Sequence, residues 1–201
     1  MSTAAQTAPA EMQVGYEAVV SPNGKLGVWW FIASEIMIFG GLIGSYVLFR
    51  VARGGWADQA SHVNWRLGAI NTLVLVTSSL TMILALNAVR VERRERAAGF
   101  LLLTVVLGLT FLGIKSIEYT HEIREGFTPT SGMFWSFYYI MTGLHGVHVL
   151  GGIILNATLY IAARRGTLWS GNRSSRVEFA GLYWHFVDVV WIFLFPLLYL
   201  A

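Results

Sequence analysis

The sequence has 201 residues, of which 55% are hydrophobic and only 12% are charged. Soluble domains carry about 25% charged residues, so this composition, with a mean hydropathy of +0.58, excludes an ordinary water-soluble fold. The absence of cysteine excludes disulfides, thiolate nucleophiles and Cys-ligated metals or haem. The formal charge of +3 does not indicate nucleic acid, because the 14 Lys and Arg residues lie mostly in short gaps between apolar runs. We therefore expect an all-α, polytopic membrane protein.

Five apolar runs are long enough to cross a bilayer, which takes about 20 helical residues. Because unpaired backbone groups are costly in lipid, each run predicts a helix. The predicted helices cover about residues 27–50, 67–89, 97–119, 133–162 and 179–200. Residues 1–26 lack the basic start and apolar stretch of a signal peptide and predict a polar tail. Residues 27–201 are thus expected to form one bundle of five transmembrane helices.

The basic residues are divided unequally between the two sides of this bundle. Nine of the 14 Lys and Arg residues fall in the tail, the second loop and the fourth loop, and five fall on the opposite side. Cytoplasmic loops of membrane proteins carry an excess of Lys and Arg. We therefore predict a cytoplasmic N-terminus and a periplasmic or external C-terminus.

Ionisable side chains within the predicted spans are the candidate functional groups, because charge is expensive in a bilayer. They are Glu35, Lys115, Glu118, His145, His148, His185 and Asp188. At a rise of about 1.5 Å per residue, Glu35 lies about 12 Å into the first helix. His185 and Asp188 reach a comparable depth in the fifth helix, and the antiparallel fourth helix brings His148 near the midplane. We expect these four side chains to meet in the cytoplasmic half of the bundle.

The residues alone leave several interpretations of this group open. The side chains could satisfy one another between helices, conduct protons in an independent transporter or channel, or bind haem through His148 and His185. We favour the first, since only one such histidine pair could form and Asp188 offers His185 a partner that is not a metal. No set of residues resembles a copper site, so we predict no redox metal in this chain.

Spacing within single helices gives two further expectations. Lys115 and Glu118 are three residues apart near the outer boundary, which predicts a structural ion pair. Glycines predict close helix approach in the first helix, at Gly40 and Gly44, and in the fourth. The glycines of the fourth helix are Gly143, Gly146, Gly151 and Gly152.

Five segments carry a resemblance to a known family. They are WWFIASEIMIFGG, NTLVLVTSS, IKSIEYTHEIREG, YYIMTGLHGVHVLGG and GLYWHFVDVVWIFLFPLLY. The chain resembles subunit III of haem–copper terminal oxidases, with the segments in the family's order and one in each predicted helix. The resemblance implies a complex of the bacterial cytoplasmic membrane that reduces oxygen to water in aerobic respiration and pumps protons. Subunit III of that family is a helical companion without redox centres, so this chain alone is not expected to be catalytic.

The resemblance also assigns residues and partners. Glu35, His148, His185 and Asp188 are expected to support the buried polar interior and proton uptake, through positioning and not through bond-making. Structural polar roles fall to Lys115, Glu118, His145, Tyr183, Trp184 and Trp191. Haem and copper are expected in partner subunits. Those partners would be subunit I as the main contact, subunit II, and subunit IV where one exists, together with bound phospholipid.

The electron donor follows less directly from the resemblance. Cytochrome c oxidases, quinol oxidases and an accessory protein of nitric oxide reductases all resemble this chain. We expect a cytochrome c oxidase, with a quinol oxidase or an accessory protein of nitric oxide reductase as the alternative. Many family members have seven helices around a lipid-filled cleft, whereas this sequence has five apolar runs. It resembles the short bacterial form, in which a partner would have to complete the cleft.

Overall fold

The computed structural model describes residues 22–169 and 173–200, and in these ranges it contains no β-strand. The α-helices are α1 (Pro22–Ala52), α2 (Ala57–Ala60), α3 (Trp65–Arg90), α4 (Arg94–Arg124), α5 (Met133–Arg164) and α6 (Arg173–Tyr199). All except α2 are long and apolar enough to cross a membrane. The predicted all-α architecture with five spans is therefore confirmed.

The helices are longer than the apolar runs that predicted them. α1 begins at Pro22, within the segment predicted as a polar tail, whose residues 1–21 lie outside the described residues. α6 begins at Arg173 and not near residue 179, and α4 continues past residue 119 to Arg124. Hydropathy marks the part of a helix that suits the hydrocarbon core, whereas the helix itself ends at local signals. Glycines with positive φ, Gly126 at 91° and Gly166 at 78°, follow α4 and α5 in this way.

Helices α3 to α6 pack against one another as the core, and α1 lies at the edge against α5 and α6. The C-terminal half of α1 packs closely against the rest of the bundle. The Tyr46 side chain is fully buried, and its hydroxyl donates a 2.7 Å hydrogen bond to the Leu197 carbonyl. Its ring lies 4.8 Å from that of Trp56 and 5.7 Å from that of Phe137. Towards its N-terminus, α1 instead borders a cavity of about 690 Å³ between itself, α5 and α6.

Trp184 of α6 fills the junction of the four core helices. Its indole N–H donates to Ser78 Oγ of α3 at 3.0 Å. Its ring packs directly on glycine at Gly108 of α4 and Gly152 of α5, where a Cβ atom would collide with the indole. The close approach predicted for Gly152 is thus confirmed. At Gly40 and Gly44 the described residues show no such approach, because none of them lies within 4 Å of a Cβ added there.

Replacing Gly152 with alanine should destabilise the bundle. The new methyl group would displace the Trp184 indole, and overpacking of this kind costs about 1–3 kcal/mol. Gly146→Ala is the matched control on the same helix, since its methyl group would meet only Leu112 at 3.9 Å. Thermal unfolding in mild detergent should show a lower midpoint for G152A than for G146A. Equal midpoints would contradict the packing described for Trp184.

Candidate functional site

Glu35 of α1 and His148 of α5 form a buried pair across the helix interface. Glu35 Oε2 lies 3.0 Å from His148 Nε2, and Glu35 is only 8% exposed. His148 Nδ1 lies 2.8 Å from the Leu144 carbonyl oxygen. A carbonyl can only accept, so Nδ1 carries a proton, and the contact between Nε2 and Oε2 holds one more. The pair is therefore neutral overall whether that proton sits on the imidazole or on the carboxyl group.

Aromatic side chains surround this pair. The Phe39 ring meets the His148 ring edge-on at 5.3 Å. The Tyr183 hydroxyl donates to the His148 backbone carbonyl at 2.9 Å, and the Tyr183 ring lies 5.8 Å from Phe31. Phe31 and Tyr183 also line the cavity between α1, α5 and α6. The pair thus fastens the middle of α1 to α5 beside that cavity.

His185 and Asp188 of α6 face a different helix. His185 Nδ1 forms a 2.6 Å hydrogen bond with Ser79 Oγ of α3. Asp188 is buried on the same helix, and neither of its oxygens makes a hydrogen bond to the described residues. The structure thus separates the four side chains expected to meet: Glu35 and His148 bond to each other across α1 and α5, whereas His185 and Asp188 lie together on α6 and face α3. Equal depth did not fix the direction in which each helix turns its polar face.

A charged cluster lies in the other half of the bundle, towards the C-terminal end of α4. Lys115 Nζ is 3.3 Å from Glu118 Oε2, and the two side chains are 7% and 1% exposed. The ion pair expected from their spacing is therefore present. Tyr138 of α5 and Tyr199 of α6 complete it. Each hydroxyl donates to Glu118 Oε1 at 2.7 Å and accepts from Lys115 Nζ, at 3.1 Å and 2.7 Å respectively.

Sequence reasoning missed the tyrosines and Ser79. Tyr138 lies in an aromatic segment typical of the membrane interface, yet it is fully buried. A buried tyrosine hydroxyl needs a hydrogen-bond partner. Lys115 and Glu118, predicted near the same membrane boundary, were the side chains that could have indicated one for Tyr138. Ser79 gave no signal beyond being one of several small polar residues in α3.

The remaining predicted residues occupy the interior of the bundle. The His145 ring packs between Phe111 and Trp191, at 5.4 Å and 5.1 Å. Neither of its nitrogens bonds to a described residue. Trp191 Nε1 donates to Thr72 Oγ1 of α3 at 3.0 Å. Across residues 22–169 and 173–200, no three His, Asp or Glu side chains converge as metal ligands would. These side chains form hydrogen bonds between helices, and the Glu35–His148 contact holds a proton.

Comparison with known proteins gives consistent matches. The family model described as cytochrome c oxidase subunit III matches residues 7–201. A Staphylococcus epidermidis protein named "Probable quinol oxidase subunit 3" is 35% identical over 178 residues, which cover 88% of each chain. A Staphylococcus aureus protein of the same name is 36% identical over 181 residues, again 88% of each chain.

Neutralising Glu118 alone should strongly destabilise the bundle. In Glu118→Gln the amide oxygen can still accept from both tyrosines, but the Lys115 ammonium loses its counter-charge. Removing one partner of a buried ion pair costs about 3–5 kcal/mol. The double variant Lys115→Met/Glu118→Gln should regain most of this loss, because neither position of the pair then carries a charge that lacks its partner. Unfolding in mild detergent measures both effects.

The exposed pair between Arg164 and Glu95, at 3.3 Å, is the matched control for this experiment. Solvent screens such a pair, so Glu95→Gln should leave stability nearly unchanged. A double variant no more stable than Glu118→Gln alone would show that the cluster acts through something other than charge compensation.

Proposed function

Because the chain belongs to the cytochrome c oxidase subunit III family of the haem–copper oxidases, we propose that it is subunit III of a quinol-oxidising terminal oxidase. Its place in an oxidase complex follows from the family. The choice of quinol rests on the names of its Staphylococcus relatives, which match over 88% of both chains. The cytochrome c oxidase expected from the sequence is the second candidate, and the description of the family model favours it.

Within that complex we assign the chain a role without electron transfer. Haem and copper would belong to partner subunits, with subunit I as the main contact and subunit II beside it. The ionisable groups within the spans support this role, because Glu35, Lys115 and His185 each bond to a side chain of another helix. Such bonds position helices. The chain would therefore stabilise the catalytic subunit and the surface through which that subunit takes up protons.

The cavity between α1, α5 and α6 supports a role in binding phospholipid. Its lining is almost entirely apolar, with Phe31, Leu155 and Phe179 among the residues that contribute. Arg176 is the one charged residue of this lining. An acyl chain would lie along the apolar wall, and the phosphate would meet the guanidinium at the membrane boundary.

The orientation proposed for the chain is a multi-pass arrangement in the bacterial cytoplasmic membrane, with the N-terminus in the cytoplasm. The arginines that follow α3 and α5 lie on the side of the bundle where α1 begins. Fewer basic residues lie at the opposite ends of the helices. The excess of Lys and Arg on the first side supports its assignment to the cytoplasm.

The electron donor can be tested on the intact complex. Affinity purification through this chain in mild detergent should recover a haem-containing catalytic subunit. The preparation should consume oxygen when a quinol is supplied as the electron donor. Reduced cytochrome c, supplied to the same preparation, should support little oxygen consumption. Faster turnover with cytochrome c would replace the quinol proposal with the second candidate. A preparation free of haem would contradict the proposal that this chain is part of an oxidase complex.

The proton-uptake role can be tested at Glu35 and Asp188. In Glu35→Gln the amide can still donate to His148 Nε2, so the complex should assemble, but the shared proton can no longer move to the side chain at position 35. We expect Glu35→Gln and Asp188→Asn to lower the turnover or the proton-to-electron ratio. Glu178→Gln, which alters only the partly exposed pair with Lys25 at 3.8 Å, is the control. Assembly, turnover and stoichiometry all equal to the wild type would refute the role.

A further inference from the structure

A second groove lies between the end of α3 and the start of α4, on the side of the bundle where α1 begins. Its volume is about 450 Å³, and its lining includes the apolar side chains of Leu84, Val91 and Phe100 together with Arg93 and Arg96. It shares no lining residue with the cavity between α1, α5 and α6. Both helices that form it are candidate membrane spans, so the groove opens at the edge of the bilayer.

Two arginines at the rim of this groove form no ion pair with the described residues. Two neighbouring arginines are engaged: Arg94 stacks 5.2 Å from the Trp169 ring, and Arg164 pairs with Glu95 at 3.3 Å. Arg93 and Arg96 are exposed, and neither forms an ion pair or a cation–π contact with the residues that the structure describes. Two guanidinium groups therefore face the membrane boundary without a partner from the described part of the chain.

The apolar lining begins directly beneath these charges. Phe100 follows Arg96 by one helical turn, about 6 Å towards the membrane centre at a rise of about 1.5 Å per residue. Leu84 lies at a depth of about 9 Å below the end of α3 by the same measure. A pair of cations at the interface above a groove of this depth matches the two parts of a phospholipid, a phosphate head group and the first carbons of an acyl chain.

We propose that this groove binds one anionic phospholipid, with the phosphate held by Arg93 and Arg96 and an acyl chain lying against Leu84 and Phe100. The net positive rim selects a lipid with net negative charge, such as phosphatidylglycerol, over a zwitterionic one. This site is additional to the phospholipid proposed between α1, α5 and α6, and it does not depend on which electron donor the oxidase uses.

The test counts lipids on the purified oxidase complex. Native mass spectrometry after delipidation and addition of phosphatidylglycerol should show one bound lipid fewer in Arg93→Gln/Arg96→Gln than in the wild type. The affinity of that site should fall about 5- to 30-fold, since each basic residue near an anionic lipid contributes about a factor of five. Arg90→Gln is the matched control, because Arg90 is exposed at the same end of α3 but does not line the groove.

A second measurement identifies the occupant directly. A photoreactive amino acid in place of Leu84 should cross-link to phosphatidylglycerol in the wild-type complex and lose that product when Arg93 and Arg96 are replaced. Three results would overturn the proposal: an equal loss of lipid in Arg90→Gln, equal retention of phosphatidylcholine, or a cross-link to another subunit instead of lipid. Because the complex is purified in every arm, its haem content and turnover report separately on the proposed function.

Discussion

The Lys115 ammonium is almost completely buried among helices, so protein groups must replace the water that would otherwise solvate it. The same requirement applies to every polar group in the interior of this bundle. The Lys115 ammonium is held by one carboxylate and two tyrosine hydroxyls from three different helices. Those four groups can satisfy one another only when α4, α5 and α6 have the correct rotation and height. The need to compensate one buried charge therefore fixes the relative positions of three helices at one end of the bundle.

The helix α1 is attached by a different arrangement. Its C-terminal half is anchored by aromatic packing around Tyr46, and its middle is anchored by the Glu35–His148 hydrogen bond. Nearer its N-terminus, α1 is separated from α5 and α6 by the cavity, and Lys25 reaches Glu178 of α6 only at 3.8 Å. A helix held at two levels and spaced from its neighbours at a third leaves an opening that an elongated apolar molecule can enter from the side.

Features that depend on a single helix could be predicted from the sequence. Long apolar runs predicted all five spans, and a spacing of three residues predicted the Lys115–Glu118 pair. Features that depend on the rotation of two helices could not be predicted in this way. His185 lies in the fifth predicted span, but its ring faces Ser79 of α3, because the position of a residue along a helix does not determine which neighbouring helix its side chain faces. The short helix α2 was not predicted, because its four residues are too few to show an apolar period.

The Glu35–His148 pair has a consequence for how the chain enters the membrane. The two residues are 113 positions apart in the chain, so α1 is made and inserted long before α5 exists. During that interval the Glu35 carboxyl lies in the lipid interior without its imidazole. A lone carboxylate there is far more costly than the neutral acid. A Glu35 that entered the bilayer as the neutral acid would already carry the proton that the contact with His148 requires.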